Sequence, residues 1–437
     1  MALYVCTQSA YPNSSDLKHL HRLYLTNDPA SYFPDNASAF VEYEPNMNSF
    51  PSFAGLDVVR NNVISVEFNS NELSIKLPED CSGLFKNLHL GQPNMDSYGW
   101  YWDSHPGDFS SNIKNIVLDL SRFDTSDVKN MSSMFENCIG DRWYTFTSGS
   151  GSGGTYSRWY GFGNFQLSGL DAWDVSNVEN VSRMFANINI ARMFDRGPCY
   201  ENTSSLRPYA VAPFVSGGLN NWEFTKVTDA TSMFANSVFN TDDMNIKFTT
   251  TDCDYSFMFS GFKTKFTYYS GSHKYTAVGG NKDNSLDLSS WEFTGNGSNF
   301  SSMFRNTGLT AIYMKSTLNK AISTLTSTTA INYMFANDGA SNVGVLKKIQ
   351  AKGGTDWKLL NPNLSGYKMF VNDTGLPNFN SSNNNIDYAN NTKTTGYFDQ
   401  SPPDKQDEIW FYTLNGWKTV DAWFKTEDGW KESEVYY

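Results

Sequence analysis

Leu118-Asp119-Leu120-Ser121-Arg122-Phe123-Asp124-Thr125-Ser126-Asp127-Val128-Lys129-Asn130-Met131-Ser132-Ser133-Met134-Phe135-Glu136-Asn137 is one unit of a repeat. Its tail, a hydrophobic residue, Phe and then Asn two places on, recurs at Leu84-Phe85-Lys86-Asn87, Met184-Phe185-Ala186-Asn187 and Met233-Phe234-Ala235-Asn236. It returns at Met303-Phe304-Arg305-Asn306, Met334-Phe335-Ala336-Asn337 and Met369-Phe370-Val371-Asn372, with Met258-Phe259 as a degenerate copy. Recurrence on this scale marks a repeat protein, and a repeat array is more often a binding scaffold than a catalyst. The pairs are spaced 50, 50, 49, 25, 45, 31 and 35 residues apart. Either every second unit is degenerate or each unit carries a long insertion.

The two halves of a unit carry different signals. Leu118 and Leu120, like Leu286 and Leu288, alternate as a short strand with one buried face. An aromatic, Phe123, Trp173 or Trp222, stands 11 residues before the Met; from Trp291 to Met303 and Trp357 to Met369 the gap is 12. Ser126 and Ser176 are then read as helix N-caps. Val128, Met131, Met134 and Phe135 follow at i, i+3, i+6 and i+7, as do Val178, Val181, Met184 and Phe185. That stripe predicts one buried face of a short helix, ended by an Asn that tolerates left-handed geometry. A strand, a capped turn and a short helix cannot bury an apolar face alone, so neighbouring units must stack.

The pattern Leu-Asp-Leu-Ser-x-Trp/Phe-Asp-x-Ser-x-Val-x-x-Met-x-x-Met-Phe resembles the BspA-like leucine-rich repeats of bacterial and protist surface proteins, over roughly Val63 to Leu376. The resemblance is closest at 118–137 and 170–187 and weak at 84–87 and beyond 330. It implies an adhesin or surface-binding protein, and it implies no active site. The expected architecture is an α+β repeat solenoid of BspA-like leucine-rich repeats with long insertions, an irregular N-terminal cap and a small C-terminal β-module. The boundaries are 1–60 for the cap or docking segment, 61–378 for the solenoid, 379–396 for an Asn-rich linker and 397–437 for the β-module.

In the β-module, Gly416-Trp417-Lys418 and Gly429-Trp430-Lys431 lie 13 apart, with Trp423 between them. Alternation around Asn415-Gly416 and Asp428-Gly429 predicts hairpins. The segment resembles the Trp-Lys-Thr-x-Asp-Gly-Trp-Lys tails of bacteriophage virion proteins. Three tryptophans exceed what about 40 residues can bury unaided, so Trp417, Trp423 and Trp430 are candidate assembly residues.

Four insertions, 88–112, 138–166, 188–218 and 260–285, follow equivalent points of their units. Trp100, Tyr101, Trp102, Trp143, Tyr144, Trp159, Tyr160, Tyr268, Tyr269 and Tyr275 lie within them, and a Ser/Gly run spans Ser148 to Gly154. Aromatics among Gly and Ser combine rigid contact area with adaptable hydrogen bonding, so these ten are the candidate ligand-binding residues. The other reading has the loops folding back, with their aromatics as satellite core. Aromatics are 16% of the chain, which leads us to expect many at the surface.

Charge and composition narrow the partners. A net charge of −12 argues against nucleic acid, which needs a basic face. There is no run of 18 apolar residues, so no membrane insertion is expected. Met1 to Thr7 lacks the basic and apolar regions of a secretory signal. Cys6, Cys81, Cys138, Cys199 and Cys253 are odd in number and have no Cys-x-x-Cys spacing, which reads as buried thiols rather than disulfides or zinc ligands. No catalytic motif is found; His19-x-His21 and Asp252-x-Asp254 read as packing and turn residues, so no metal or cofactor is expected.

The function expected from the sequence is a non-enzymatic virion surface protein, a tail or head fibre or capsid decoration. Its partners would be other virion proteins or copies of itself, and a host surface protein or glycan. The alternative is a BspA-like bacterial cell-surface adhesin. A glycan-degrading enzyme, which needs paired carboxylates in a cleft, is the remote alternative.

Overall fold

A four-stranded sheet organises the described residues between Tyr4 and Phe68, where an irregular cap over 1–60 was expected. Tyr4–Ser9 pairs antiparallel with His21–Thr26, Val5 opposite Leu25. Val41–Glu42 extends one side and Val63–Phe68 runs parallel on the other. Alternation along these strands separates two faces. Val5, Leu23, Leu25 and Val63 enter the main core. Cys6 and Tyr24 face the other way into an aromatic cluster with Tyr32, Phe33, Phe40 and Phe53.

The computed structural model describes residues 2–13, 18–90, 116–138, 143–150, 154–161, 165–188, 219, 221–237, 245–263, 265–270, 273–278, 284–294, 297–315, 317–339, 344–352, 361, 363–390, 395–399, 409–413, 416–426 and 429–436. Small sheets of two to four strands dominate, and the α-helices among the described residues are Pro29–Tyr32 and Thr317–Ser323. The α+β leucine-rich-repeat solenoid is therefore incorrect, because the segment read as the helix of each unit is a string of tight turns.

Backbone geometry gives the reason. In six copies the residue before the Met or Leu and the residue three places after it are both left-handed: Gly83 and Asn87, Ser133 and Asn137, Arg183 and Asn187, Ser232 and Asn236, Ser302 and Asn306, Lys368 and Asn372; in the Met334 copy only Tyr333 is. The degenerate copy keeps the geometry with Phe257 and Gly261. Two left-handed residues in five break an α-helix. In place of helical bonds, alternate N–H groups close three-residue turns, as from Met134 to Met131 and from Glu136 to Ser133. The others donate to the next unit, Phe85 to Met134, Phe135 to Met184, Phe185 to Met233, Phe234 to Met258, Phe259 to Met303, Phe304 to Met334 and Phe335 to Met369, all at 2.8–3.0 Å.

The expected Ser caps are reversed. Asp124 and Asp174 accept from the N–H groups of Ser126 and Ser176 at 3.0 and 2.9 Å. Asn130, Asn180, Asp229, Asp254 and Asn299 hold Ser132, Ser182, Thr231, Ser256 and Ser301 in the same way. The carboxylate or amide two residues back is thus the acceptor, an Asx-turn rather than a cap.

Stacking in sequence order is observed. Met134, Phe135, Met184, Phe185, Met233, Phe234, Met303 and Phe304 are fully buried. The Phe rings from Phe85 through Phe135, Phe185, Phe234, Phe259, Phe304 and Phe335 to Phe370 lie 5.2–5.7 Å apart, with planes within 12°. Trp173 and Trp222 stack 6.1 Å apart, and each indole N–H donates to a carbonyl of the preceding unit, Leu120 and Leu170. Short parallel strands run alongside: Phe165–Ser168 on Ile116–Asp119, and Ser285–Leu288, Ala311–Lys315 and Lys348–Lys352 in one sheet. At the far end Tyr397 meets Phe370 edge-on at 5.1 Å.

Among the residues whose burial is described, the exposed aromatics are Phe257 and Tyr367. Cys6, Cys81, Cys138 and Cys253 are free and buried. Burial pushes all four thiols up, to about 12 for Cys6 and Cys253. Cys199 lies outside the described residues.

Asn137 tests the turn directly. It is left-handed, and its amide donates to Asn87 at 2.9 Å. Asn137→Ala is expected to cost about 1–2 kcal/mol, since a Cβ without a local hydrogen bond is strained there. Asn137→Gly should recover most of that loss in equilibrium unfolding.

Candidate functional site

Several left-handed positions beside the Met-Phe pairs carry bulky side chains. Asn and Gly suit such backbone, whereas a bulky side chain there is an outlier. Arg183, Phe257, Tyr333 and Lys368 occupy it at φ 52–58°. Bulky left-handed residues cost of order 1–3 kcal/mol each, and such strain clusters at functional sites.

Two groups form on this corner. In the first, Glu136 sits between Lys86, whose Nζ is 3.0 Å away, and Arg183, whose guanidinium donates to it. Burial works to raise the Glu136 pKa, and hydrogen bonds from Arg183, Ser133 and Lys86 overcome it, bringing the carboxyl to about 2. One carboxylate thus bridges two cations from the units before and after it.

The second group is aromatic and cationic. Tyr333 meets Tyr367 edge-on at 5.7 Å. The Arg305 guanidinium lies 4.8 Å from the Tyr333 ring centre, and Lys368 Nζ lies 5.2 Å from that of Tyr367. Arg305 also forks onto Asp338, whose pKa it lowers against the opposing effect of burial. Tyr367 is 53% exposed, and Phe257, at the left-handed place that Lys368 takes three units later, is 39% exposed. Cations over ring faces and exposed aromatics with polar tips are features of recognition surfaces. No group of three or more His, Cys, Asp or Glu among the described residues could hold a metal ion.

Sequence reasoning missed this strip because Tyr333 and Tyr367 look like isolated residues until the units are aligned. The one signal was Tyr333 and Lys368 standing directly before a Met, where four other copies have Ser or Gly and two have Arg183 and Phe257.

The sequence-derived candidates fall elsewhere. Trp100, Tyr101 and Trp102 lie outside the described residues. Trp143–Ser150 and Gly154–Gly161 form an antiparallel hairpin that pairs Tyr144 with Tyr160 and Thr145 with Trp159. A second hairpin, Lys265–Ser270 with His273–Val278, pairs Tyr268 with Tyr275 and Tyr269 with Lys274. Both insertions were read as loops and are instead strands. In the C-terminal segment Ile409–Thr413, Gly416–Thr426 and Gly429–Tyr436 close on one another, with Tyr412 opposite Trp417, Trp423 opposite Glu432 and Lys425 opposite Trp430.

Residues 108–148 and 155–271 match the family model described as Mycoplasma protein of unknown function, DUF285. The match spans the units at Met134, Met184, Met233 and Met258 and supports the BspA-like resemblance of that central region. Neither a curated protein nor a solved structure matches the chain.

Proposed function

We propose that this chain is a non-enzymatic virion surface protein, a fibre or decoration that presents its left-handed corner to a host protein or glycan. The observation carrying this reading is the strip of Arg305, Tyr333, Tyr367 and Lys368, where Tyr333 and Lys368 hold left-handed backbone and Tyr367 and Lys368 are exposed. Interfaces draw most of their energy from a few Tyr, Trp and Arg residues. The virion setting rests on the tail likeness of the C-terminal strands bearing Trp417, Trp423 and Trp430. A second reading, a bacterial cell-surface adhesin, rests on the BspA-like resemblance of the repeat units at 118–137 and 170–187.

Binding to host envelopes or a glycan array tests the recognition role. Tyr333→Ala with Tyr367→Ala is expected to weaken retention about tenfold or more, equivalent to roughly 1.4 kcal/mol. The unfolding midpoint should move little, because Tyr367 is exposed and Tyr333 only half-buried. Unchanged retention would move the site to the hairpins, where Trp143→Ala, Trp159→Ala and Tyr160→Ala is the matching triple variant. Antibody labelling of purified particles and of cells decides the setting: label on cell envelopes but not on particles favours the adhesin.

A further inference from the structure

Asn337 departs from the other Met-Phe-x-Asn copies. Asn87, Asn137, Asn187, Asn236, Asn306 and Asn372 are left-handed at this place, and Asn337 is not among the left-handed residues. Its N–H still donates to the next unit, to Val371 O at 2.8 Å, but its side chain is fully buried. There its Nδ2 donates to Asp373 Oδ1. Asp373 is also fully buried, in the place where earlier units put Leu88, Cys138, Ile188, Ser237, Phe262, Thr307 and, exposed, Asp338.

Each residue keeps one buried atom without a partner, Asn337 Oδ1 and Asp373 Oδ2. Two acceptors left bare in an apolar interior are costly. A protonated carboxyl has one O–H to give, and a carboxamide presents one N–H and one C=O on the same edge. We infer that Asp373 is held as a neutral carboxylic acid whose Oδ2–H donates to Asn337 Oδ1, closing a two-bond ring that latches the last two units and opens on deprotonation.

The electrostatics agree. Burial raises the Asp373 pKa well above its ordinary value, and the Asn337 amide opposes this only in part. Asp338, beside Asn337, faces solvent and is paired with Arg305, and among the described residues no charged group offsets the burial of Asp373. The sign follows from the raised value. The folded chain keeps a proton that the unfolded chain has lost, so the latch contributes fully below the ordinary aspartate pKa of about 4 and fades as pH rises through the folded value.

Asp373→Asn tests this, because a second amide can form the same two bonds without titrating. In thermal unfolding from about pH 4 upward, the wild-type midpoint should fall relative to Asp373→Asn, which stays flat through that window. Infrared difference spectra should show, at about pH 6, a carboxylic acid C=O band in the wild type that Asp373→Asn lacks. Should that variant not fold, Asn337→Ala shifts the same band by removing its partner. A carboxylate band for Asp373 at that pH, or a midpoint difference independent of pH, overturns the inference.

Discussion

Arg60→Met is expected to destabilise the N-terminal end of the stack by on the order of 3–5 kcal/mol, the largest loss we anticipate from a single side chain outside the ring column. Each unit donates alternate N–H groups to carbonyls of the next, so the first unit's own carbonyls face no earlier donor. The sheet domain fills that place. The Tyr43 hydroxyl and the Asn46 N–H donate to Ser82 O at 2.7 and 3.2 Å. Arg60, almost wholly buried, donates from Nη1 to Gly83, Leu84 and Lys86 carbonyls at 2.7, 3.1 and 3.0 Å, and from Nε to Met47 O. Its guanidinium lies 4.6 Å from the Phe50 ring centre. Methionine fills much of the volume and supplies no donor, leaving several buried acceptors bare at about 1–3 kcal/mol each. Arg60→Lys should recover little, since an ammonium cannot reproduce the fork. Hydrogen exchange should show the Gly83, Phe85 and Asn87 amides opening first. Unchanged exchange and an unchanged denaturation midpoint would show that the end needs no such cap.

What the sequence disclosed, and what it hid, divides along physical lines. The buried column was legible because Met-Phe-x-Asn recurs, and the left-handed Asn was legible because few residues tolerate that backbone. The helix misreading arose because Val128, Met131 and Met134 step by three. Three-residue turns put such residues on one side as readily as a helix does. Only the residue before the Met separates the two conformations, and Ser133, Arg183 and Tyr333 give no conformational signal there, whereas Gly83 does. The Asp124 and Asp174 acceptors were misassigned to the adjacent Ser because both residue types favour turns. The Arg305–Tyr333–Tyr367–Lys368 strip was hidden for a different reason. Its members come from units 31 and 35 residues apart, so no local window contains the site.

Phe185→Ala should be the most damaging change within the column, costing about 3–5 kcal/mol. Phe185 lies between Phe135 at 5.4 Å and Phe234 at 5.5 Å, both nearly parallel to it, with Trp222 6.2 Å away. It is fully buried, and its N–H donates to Met233 at 2.9 Å. Alanine would retain that backbone bond, so the loss isolates the ring. The neighbouring rings are themselves held by further rings and by inter-unit hydrogen bonds, which restricts collapse into the cavity, and restricted collapse makes a truncation expensive. Phe185→Leu, which refills part of the volume, should restore a good part of the loss. Because units bond mainly to their neighbours, the damage should centre on the units at Met134, Met184 and Met233 and spare the N-terminal sheet. Hydrogen exchange resolved by segment would reveal that gradient. Loss spread evenly over the chain would mean the column folds as one cooperative block, and a loss below about 1 kcal/mol would mean the ring stack is not what holds the units together.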